Sequence, residues 1–149
     1  MNKINPYLIL IIRLILGVIF VYASYDKILD PDKFARDINN FHIVPFGLEN
    51  SIAIVLPWLE LLIGLGLIFG FFIDGSSVIS GALLVLFNLM ILQAMLRGFN
   101  IECGCGLKEG QMVGVSKLLE NFVFMGGAYN IFKVRARTLE FFPKTSLLE

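Results

Sequence analysis

The chain has little charge, and the charge that it has is balanced. Only 16% of its 149 residues are charged, 12 basic residues cancel 12 acidic ones, and there is a single histidine. A chain without a net positive field lacks the electrostatic footprint of a nucleic-acid-binding protein. With one histidine and two cysteines, the chain also lacks the donor set of an ordinary structural zinc site, which takes four nitrogen or sulfur ligands.

Apolar residues take the place of the missing charge. They make up 57% of the chain, and the mean hydropathy of +0.81 is well above that of a soluble domain. Four apolar runs are long enough to cross the hydrocarbon core of a bilayer, which takes roughly 20 helical residues. They cover residues 7–25, 51–73, 77–96 and 113–132. We therefore predict an all-α integral membrane protein, a four-helix bundle in a single domain over residues 1–149.

The connection between the first two runs predicts a short amphipathic helix at about residues 31–41. Asp30 can cap this helix and Pro31 suits its first position. Phe34 and Ile38 follow at a spacing that places them on one face. We expect this helix to lie on the membrane surface, in contact with lipid.

The distribution of basic residues predicts the orientation. Four spans place both termini on one side, and the sequence "DGSS" at residues 74–77 predicts a tight turn between the second and third spans. Basic residues are concentrated just after the last span, in the tail of residues 133–149, which favours cytoplasmic termini in a bacterial-type inner membrane. The connection between the third and fourth spans then faces the oxidising, extracytoplasmic side.

Both cysteines lie in that connection, in the sequence "ECGCG", with one glycine between Cys103 and Cys105. A disulfide that closes so small a ring is strained and readily reduced, and it removes almost no entropy from the unfolded chain. The pair therefore suits electron transfer better than stabilisation of the fold. Glu102 disfavours a thiolate on Cys103, which favours Cys105 as the attacking residue. Two alternatives remain open, a soft-metal site formed by both thiolates and thiols without a function.

Charged and aromatic residues inside the apolar runs are further candidates. An unpaired charge at mid-membrane costs on the order of 3 kcal/mol or more, so Arg13 and Glu60, predicted at similar depth, are expected to pair. They form either a structural ion pair or part of a quinone or proton site. Glu120 is spaced for a salt bridge with Lys117; the alternatives are that it faces the layer of Arg13 or relays protons. Trp58 either packs against its neighbours or stacks on a flat ligand.

Four pieces of the sequence, taken in order, resemble the DoxX/MauE family of small four-span membrane proteins. They are "RLILGVIFVYASYDKILDPDKFARDINNFHIVP", "LPWLELLIGLGLIFG", "LRGFNIECGCG" and "VSKLLENF", and the resemblance covers about residues 8–132. MauE relatives are linked to disulfide formation in methylamine dehydrogenase maturation, and DoxX relatives to quinone-linked sulfur oxidation. The family's Arg, Pro-Trp-x-Glu and Cys-x-Cys motifs match at Arg13, Pro57, Trp58, Glu60, Cys103 and Cys105.

The resemblance implies a membrane oxidoreductase embedded in lipid. Electrons would pass from an extracytoplasmic thioredoxin-like or rhodanese-like protein, or from a small sulfur compound, through Cys103 and Cys105 to a membrane quinone. The residues expected at the quinone are Arg13, Trp58, Glu60 and Glu120. Two functions of other classes remain open: a copper or mercury transport protein that uses the same thiolates, and a membrane assembly subunit without turnover.

Overall fold

A computed structural model of the chain describes residues 5–42, 44–45, 47–98 and 114–134. Within these ranges the secondary structure consists of α-helices, which confirms the all-α fold class. The five helices are α1 (Pro6–Leu29), α2 (Pro31–Asn40), α3 (Glu49–Phe69), α4 (Ile73–Leu96) and α5 (Val115–Lys133). The predictions for Cys103, Cys105 and the tail after residue 134 lie outside the described residues.

Three helices, α1, α3 and α4, are long and apolar enough to cross a membrane. They correspond to the first three predicted spans and make the chain a multi-pass membrane protein. The fourth predicted span, residues 113–132, forms the 19-residue helix α5, which is not among these three. Its first two turns contain Lys117 and Glu120, which lower its hydropathy. The four-span arrangement therefore stays a prediction.

The junction between α1 and α2 is built around Asp30. Helix α1 extends beyond residue 25, the predicted end of the first span, and this extension places Lys27 in its last turn. Asp30 ends α1 and caps α2, where its carboxylate accepts a hydrogen bond of 2.9 Å from the backbone N–H of Lys33. The amphipathic helix predicted at about residues 31–41 is thus confirmed.

The surroundings of α2 differ from those that the sequence predicted. Its buried residues, Phe34, Ala35 and Ile38, form a cluster with Ala53 of α3. The apolar face of α2 therefore contacts the bundle, where the sequence led us to expect lipid. Burial against α3 removes this face from water as effectively as a membrane surface would.

The turn between α3 and α4 lies earlier than predicted. Helix α3 ends at Phe69, Gly70 takes a left-handed conformation with φ of 81°, and α4 begins at Ile73. Residues 74–77 form the first turn of α4, so the tight turn predicted at "DGSS" is wrong. Glycine adopts a positive φ without a steric penalty, which explains why the chain turns at Gly70.

Close backbone contact fixes the register of α1 against α3. A Cβ atom added to Gly17 would lie 2.9 Å from the carbonyl oxygen of Gly64, and one added to Gly64 would lie 2.8 Å from that of Gly17. Such small residues let membrane helices approach closely. Helix α5 lies along α1 as well, because a Cβ atom on Gly127 would lie 2.8 Å from Cδ1 of Leu16.

The helices run antiparallel, so four helix termini meet at one end of the bundle. Helices α1 and α4 end there, and α3 and α5 begin there. Residues 99–113 connect Gly98 after α4 to Gly114 before α5, and their two attachment points both lie at this end. We call it the α4–α5 end of the bundle.

Candidate functional site

Ten polar side chains are buried among the described residues, and four of these are charged. The buried charged residues are Arg13, Lys27, Glu60 and Lys117, each at most 5% exposed. Because burial of an uncompensated charge is costly, each of these residues requires a partner or a polar environment. Three of the four, Lys27, Glu60 and Lys117, line one cleft between α1, α3, α4 and α5.

Lys27 and Glu60 form a buried ion pair across α1 and α3. The ammonium Nζ of Lys27 donates hydrogen bonds of 2.8 Å to both carboxylate oxygens of Glu60. The side chains are 5% and 1% exposed, respectively. Nζ also lies 4.9 Å from the ring centre of Phe34 on α2 and 5.2 Å from that of Phe87 on α4. These cation–π contacts help to compensate for the lost hydration of the ammonium group.

The register of α1 and α3 explains why Lys27 reaches Glu60. Taking the Gly17–Gly64 contact as the reference level and a rise of about 1.5 Å per residue, Glu60 lies ~6 Å and Lys27 ~15 Å toward the α4–α5 end. The backbones of the two residues are therefore offset by ~9 Å along the axis. The four-carbon stem of lysine extends inward over this offset.

The same register shows that the predicted pairing of Arg13 with Glu60 is wrong. Arg13 lies on the opposite side of the Gly17–Gly64 contact, and its axial distance from Glu60 is about 12 Å. The carboxylate of Glu60 is instead held by Lys27. The prediction failed because it placed the end of the first span at residue 25 and treated Lys27 as part of a loop.

Lys117 brings a second ammonium group to the cleft. Its Nζ donates a hydrogen bond of 2.9 Å to Oε2 of Glu120, one turn further along α5, which confirms the salt bridge predicted from the spacing. The Lys117 side chain is 2% exposed and that of Glu120 is 29% exposed. The lysine is therefore buried, whereas its carboxylate partner lies at the edge of the bundle and remains partly hydrated.

Asn121 lies one turn after Lys117 on α5 and lines the same cleft. The side chain is 3% exposed, and its amide nitrogen Nδ2 has no hydrogen-bond partner among the described residues. Leaving a buried donor unsatisfied costs roughly 1–3 kcal/mol. The amide nitrogen of Asn121 is therefore an unused hydrogen-bond donor in a cleft that Lys27 and Lys117 also line.

The cleft is small and mostly apolar outside these polar groups. Its polar lining residues are Lys27, Glu60, Lys117 and Asn121, and its apolar lining residues are Ile19, Phe20, Ala23, Leu84, Phe87 and Phe124. The cleft is partly open, and its space for water-sized groups is about 30 Å³. Since one water molecule needs roughly 10–15 Å³, the cleft holds two or three groups of that size. We call it the charged cleft.

The structure brings only some of the predicted site residues together. Glu60 lines the charged cleft, and Glu120 reaches it through its bond to Lys117. Arg13 is buried elsewhere along α1, and Trp58 is 55% exposed on the outer surface of α3. Within the described ranges, no group of three or more histidine, cysteine, aspartate or glutamate residues is placed to hold a metal ion.

The sequence analysis missed Lys27 and Asn121 as site residues. A signal for Lys27 was present, since it follows Phe20 and Ser24 in the buried stripe of α1 and continues the helical spacing of that stripe. Asn121 likewise shares the buried face of α5 with Lys117 and Ala128. Polar residues in phase with a buried apolar stripe mark an internal polar site.

Comparison with known proteins identifies relatives of this chain. Residues 5–133 match the family model described as "Methylamine utilisation protein MauE". The chain is 31% identical over 110 residues to the methylamine utilization protein MauE of Paracoccus denitrificans, an alignment that covers 71% of this chain and 59% of that protein. It is 32% identical over 109 residues to the protein of the same name from Methylorubrum extorquens, covering 70% and 59% of the two chains.

A third relative, MauE of Methylophilus methylotrophus, is 26% identical over 125 residues, covering 82% of this chain and 66% of that protein. The aligned part of the chain thus spans about three-fifths of the length of the first two relatives. No solved structure shows significant similarity to the chain.

Proposed function

The chain belongs to the MauE family, and from this premise we propose that it is a membrane accessory protein of methylamine utilisation that oxidises thiols of an extracytoplasmic partner. The observation that carries this proposal is the match to MauE over residues 5–133, a range that includes both cysteines of the chain. The name of the relatives supports the pathway, and the Cys-Gly-Cys sequence supports the chemistry.

The proposed reaction is thiol–disulfide exchange at Cys103 and Cys105. A thiolate of the partner attacks one sulfur of the Cys103–Cys105 disulfide, so that a mixed disulfide forms and the other cysteine leaves as a thiolate. A second thiolate of the partner then displaces the first cysteine. The partner gains a disulfide, and its two electrons remain on the two cysteine thiols.

The connectivity of the helices supports access to both the membrane and the outside. Cys103 is five residues beyond Gly98, the last described residue after α4, so a fully extended chain would carry it at most about 18 Å from that point. We therefore propose that the cysteines act at the α4–α5 end of the bundle. For a partner outside the cell to reach them, this end must face the extracytoplasmic side, with both termini in the cytoplasm.

This orientation requires α5 to act as a fourth span, which we propose on two grounds. Helix α5 packs against both α4 and α1, and its contact with Leu16 places it along the membrane part of α1. The charges that lower its hydropathy, Lys117 and Glu120, neutralise each other. Pairing of this kind reduces the cost of placing charged residues in a bilayer.

The two cysteine thiols must pass their electrons to a two-electron acceptor, and we propose a membrane quinone for this role. The charged cleft does not fit a quinone ring, because it has room for only two or three water-sized groups. We therefore assign no cleft residue to the quinone. The roles predicted for Arg13, Trp58, Glu60 and Glu120 at a quinone stay predictions.

The experiment that tests the proposal measures thiol oxidation by the full chain in lipid nanodiscs. A reduced thioredoxin-like protein serves as the electron donor and a soluble quinone analogue as the acceptor, and the loss of donor thiols is followed with time. We expect Cys103→Ser and Cys105→Ser each to lower the rate to that of protein-free nanodiscs. Lys108→Gln, in the same connecting segment, keeps both thiols and should retain the wild-type rate.

Two other outcomes would favour the alternative functions. Stoichiometric Cu(I) binding without thiol turnover would indicate a soft-metal protein, and co-purification of a partner without turnover would indicate an assembly subunit. Full turnover in either cysteine variant would contradict the proposal. The orientation has a separate test, since an impermeant maleimide should label Cys103 and Cys105 in intact, reduced cells if the α4–α5 end faces outward.

A further inference from the structure

The charged cleft contains hydrogen-bond donors that its own carboxylate does not use. An ammonium group carries three N–H donors, and Lys27 uses two of them on Glu60. Lys117 donates to Glu120, which leaves further N–H donors on its ammonium group. The amide nitrogen of Asn121 has no partner among the described residues. Buried donors in proteins are nearly always satisfied, so we expect the cleft to contain a bound group that accepts hydrogen bonds.

The residues that line the cleft include more cations than anions. Two of its charged residues, Lys27 and Lys117, are cations, and only one, Glu60, is an anion. Glu120, which neutralises Lys117, does not line the cleft and is 29% exposed. Solvent weakens the attraction of an exposed carboxylate for a buried ammonium group. A negative charge placed inside the cleft would be attracted by both lysines, against the repulsion of Glu60.

The volume of the cleft limits what can bind. About 30 Å³ of space for water-sized groups accepts two or three atoms of the size of a water oxygen. Organic acids and other anions with many atoms are therefore too large to enter the cleft whole. A single water molecule would satisfy a donor, but it carries no negative charge to interact with Lys27 and Lys117.

We propose that the charged cleft is a binding site for one small monovalent anion, of the size of a halide ion, held by Lys27, Lys117 and Asn121. The buried and unsatisfied amide of Asn121 is the observation that distinguishes this site from an ordinary ion pair. The inference is independent of the chemistry proposed for the cysteines, because all three anion-binding residues belong to α1 and α5.

Chloride binding to the full chain tests the inference directly. The purified protein in zwitterionic nanodiscs is titrated with chloride at constant ionic strength, with gluconate as the replacement anion because gluconate is too large for the cleft. Binding is followed by the line width of the chloride NMR signal and by the midpoint of thermal unfolding. We expect saturable line broadening and a midpoint that rises with chloride, since a ligand that binds only the folded state stabilises it.

Three variants assign the binding to the cleft. Lys117→Gln should weaken chloride binding at least about tenfold, and Asn121→Leu should weaken it about threefold or more, because these residues donate a charged and a neutral hydrogen bond, respectively. Lys133→Gln removes a lysine that is exposed at the end of α5 and should bind chloride like the wild type. If Lys117→Gln does not fold, Asn121→Leu, which keeps every charge, decides the question.

The results that would overturn the inference are equally specific. Equal midpoints and equal line widths in chloride and gluconate would show that the cleft contains water alone. Binding that survives unchanged in Lys117→Gln or in Asn121→Leu would place the anion elsewhere on the protein.

Discussion

Replacing Glu60 with leucine should destabilise the folded protein by about 3–5 kcal/mol, because the substitution leaves the ammonium group of Lys27 buried without its carboxylate. The expected magnitude follows from the short distances and the burial of this ion pair. Both oxygens of Glu60 lie 2.8 Å from Nζ of Lys27, and the two side chains are 1% and 5% exposed. Neither group can recover its hydration without opening the packing of α1 against α3.

The double variant Lys27→Met with Glu60→Leu separates the cost of a broken pair from the value of the pair itself. Replacing a buried ion pair with well-packed apolar residues is often neutral or stabilising. We therefore expect the double variant to lie within about 1 kcal/mol of the wild type or above it. Lys133→Gln removes an exposed lysine and should change the stability by less than about 0.5 kcal/mol.

Reversible unfolding in mixed micelles provides the measurement, with Trp58, the only tryptophan of the chain, as the fluorescent probe. The free energies of unfolding of the wild type, Glu60→Leu, the single variant Lys27→Met and the double variant form a double-mutant cycle, which isolates the coupling between the two residues. A Glu60→Leu variant that loses less than about 1 kcal/mol would refute the reasoning. So would a double variant that is destabilised by the sum of the two single effects.

Two further predictions concern the packing around this pair. Gly64→Ala should destabilise the protein, because the added Cβ would lie 2.8 Å from the carbonyl oxygen of Gly17. The control Gly126→Ala, whose added Cβ meets no atom within 4 Å, should stabilise α5 by about 0.5–1 kcal/mol. Equal effects of the two substitutions in the same unfolding assay would argue against a close helix crossing. Phe34→Ala should lower the free energy of unfolding by about 3–5 kcal/mol, because this buried ring also covers the ammonium group of Lys27. A decrease no larger than that caused by substituting an exposed residue would show that α2 does not cover the ion pair.

The helices of this fold were predictable because hydrophobicity is a local property. The first three apolar runs correspond to α1, α3 and α4, and Asp30 and Pro31 correctly predicted the start of α2. The ends of the helices were harder to predict. The turn was placed at residues 74–77 because aspartate, glycine and serine favour turns, but Gly70 ends α3 four residues earlier.

Part of the charged cleft was also predictable. A carboxylate inside an apolar run is easily recognised in a sequence, so Glu60 was identified as a candidate site residue. The spacing of Lys117 and Glu120 predicted their salt bridge. The partner of Glu60 was not found, because pairing depends on the register of α1 against α3. That register is set by the contact of Gly17 with Gly64, which no single stretch of sequence reveals.

Lys27 shows why a local analysis of the sequence fails at this site. A lysine in the last turn of a helix is expected to interact with the helix dipole and extend its charge into water. Here α2 folds back so that Phe34 covers the ammonium, and Phe87 approaches it from α4. With its outward path closed, the lysine side chain turns toward Glu60, and the charge becomes part of the bundle interior. The cleft beside it therefore exists only in the assembled protein.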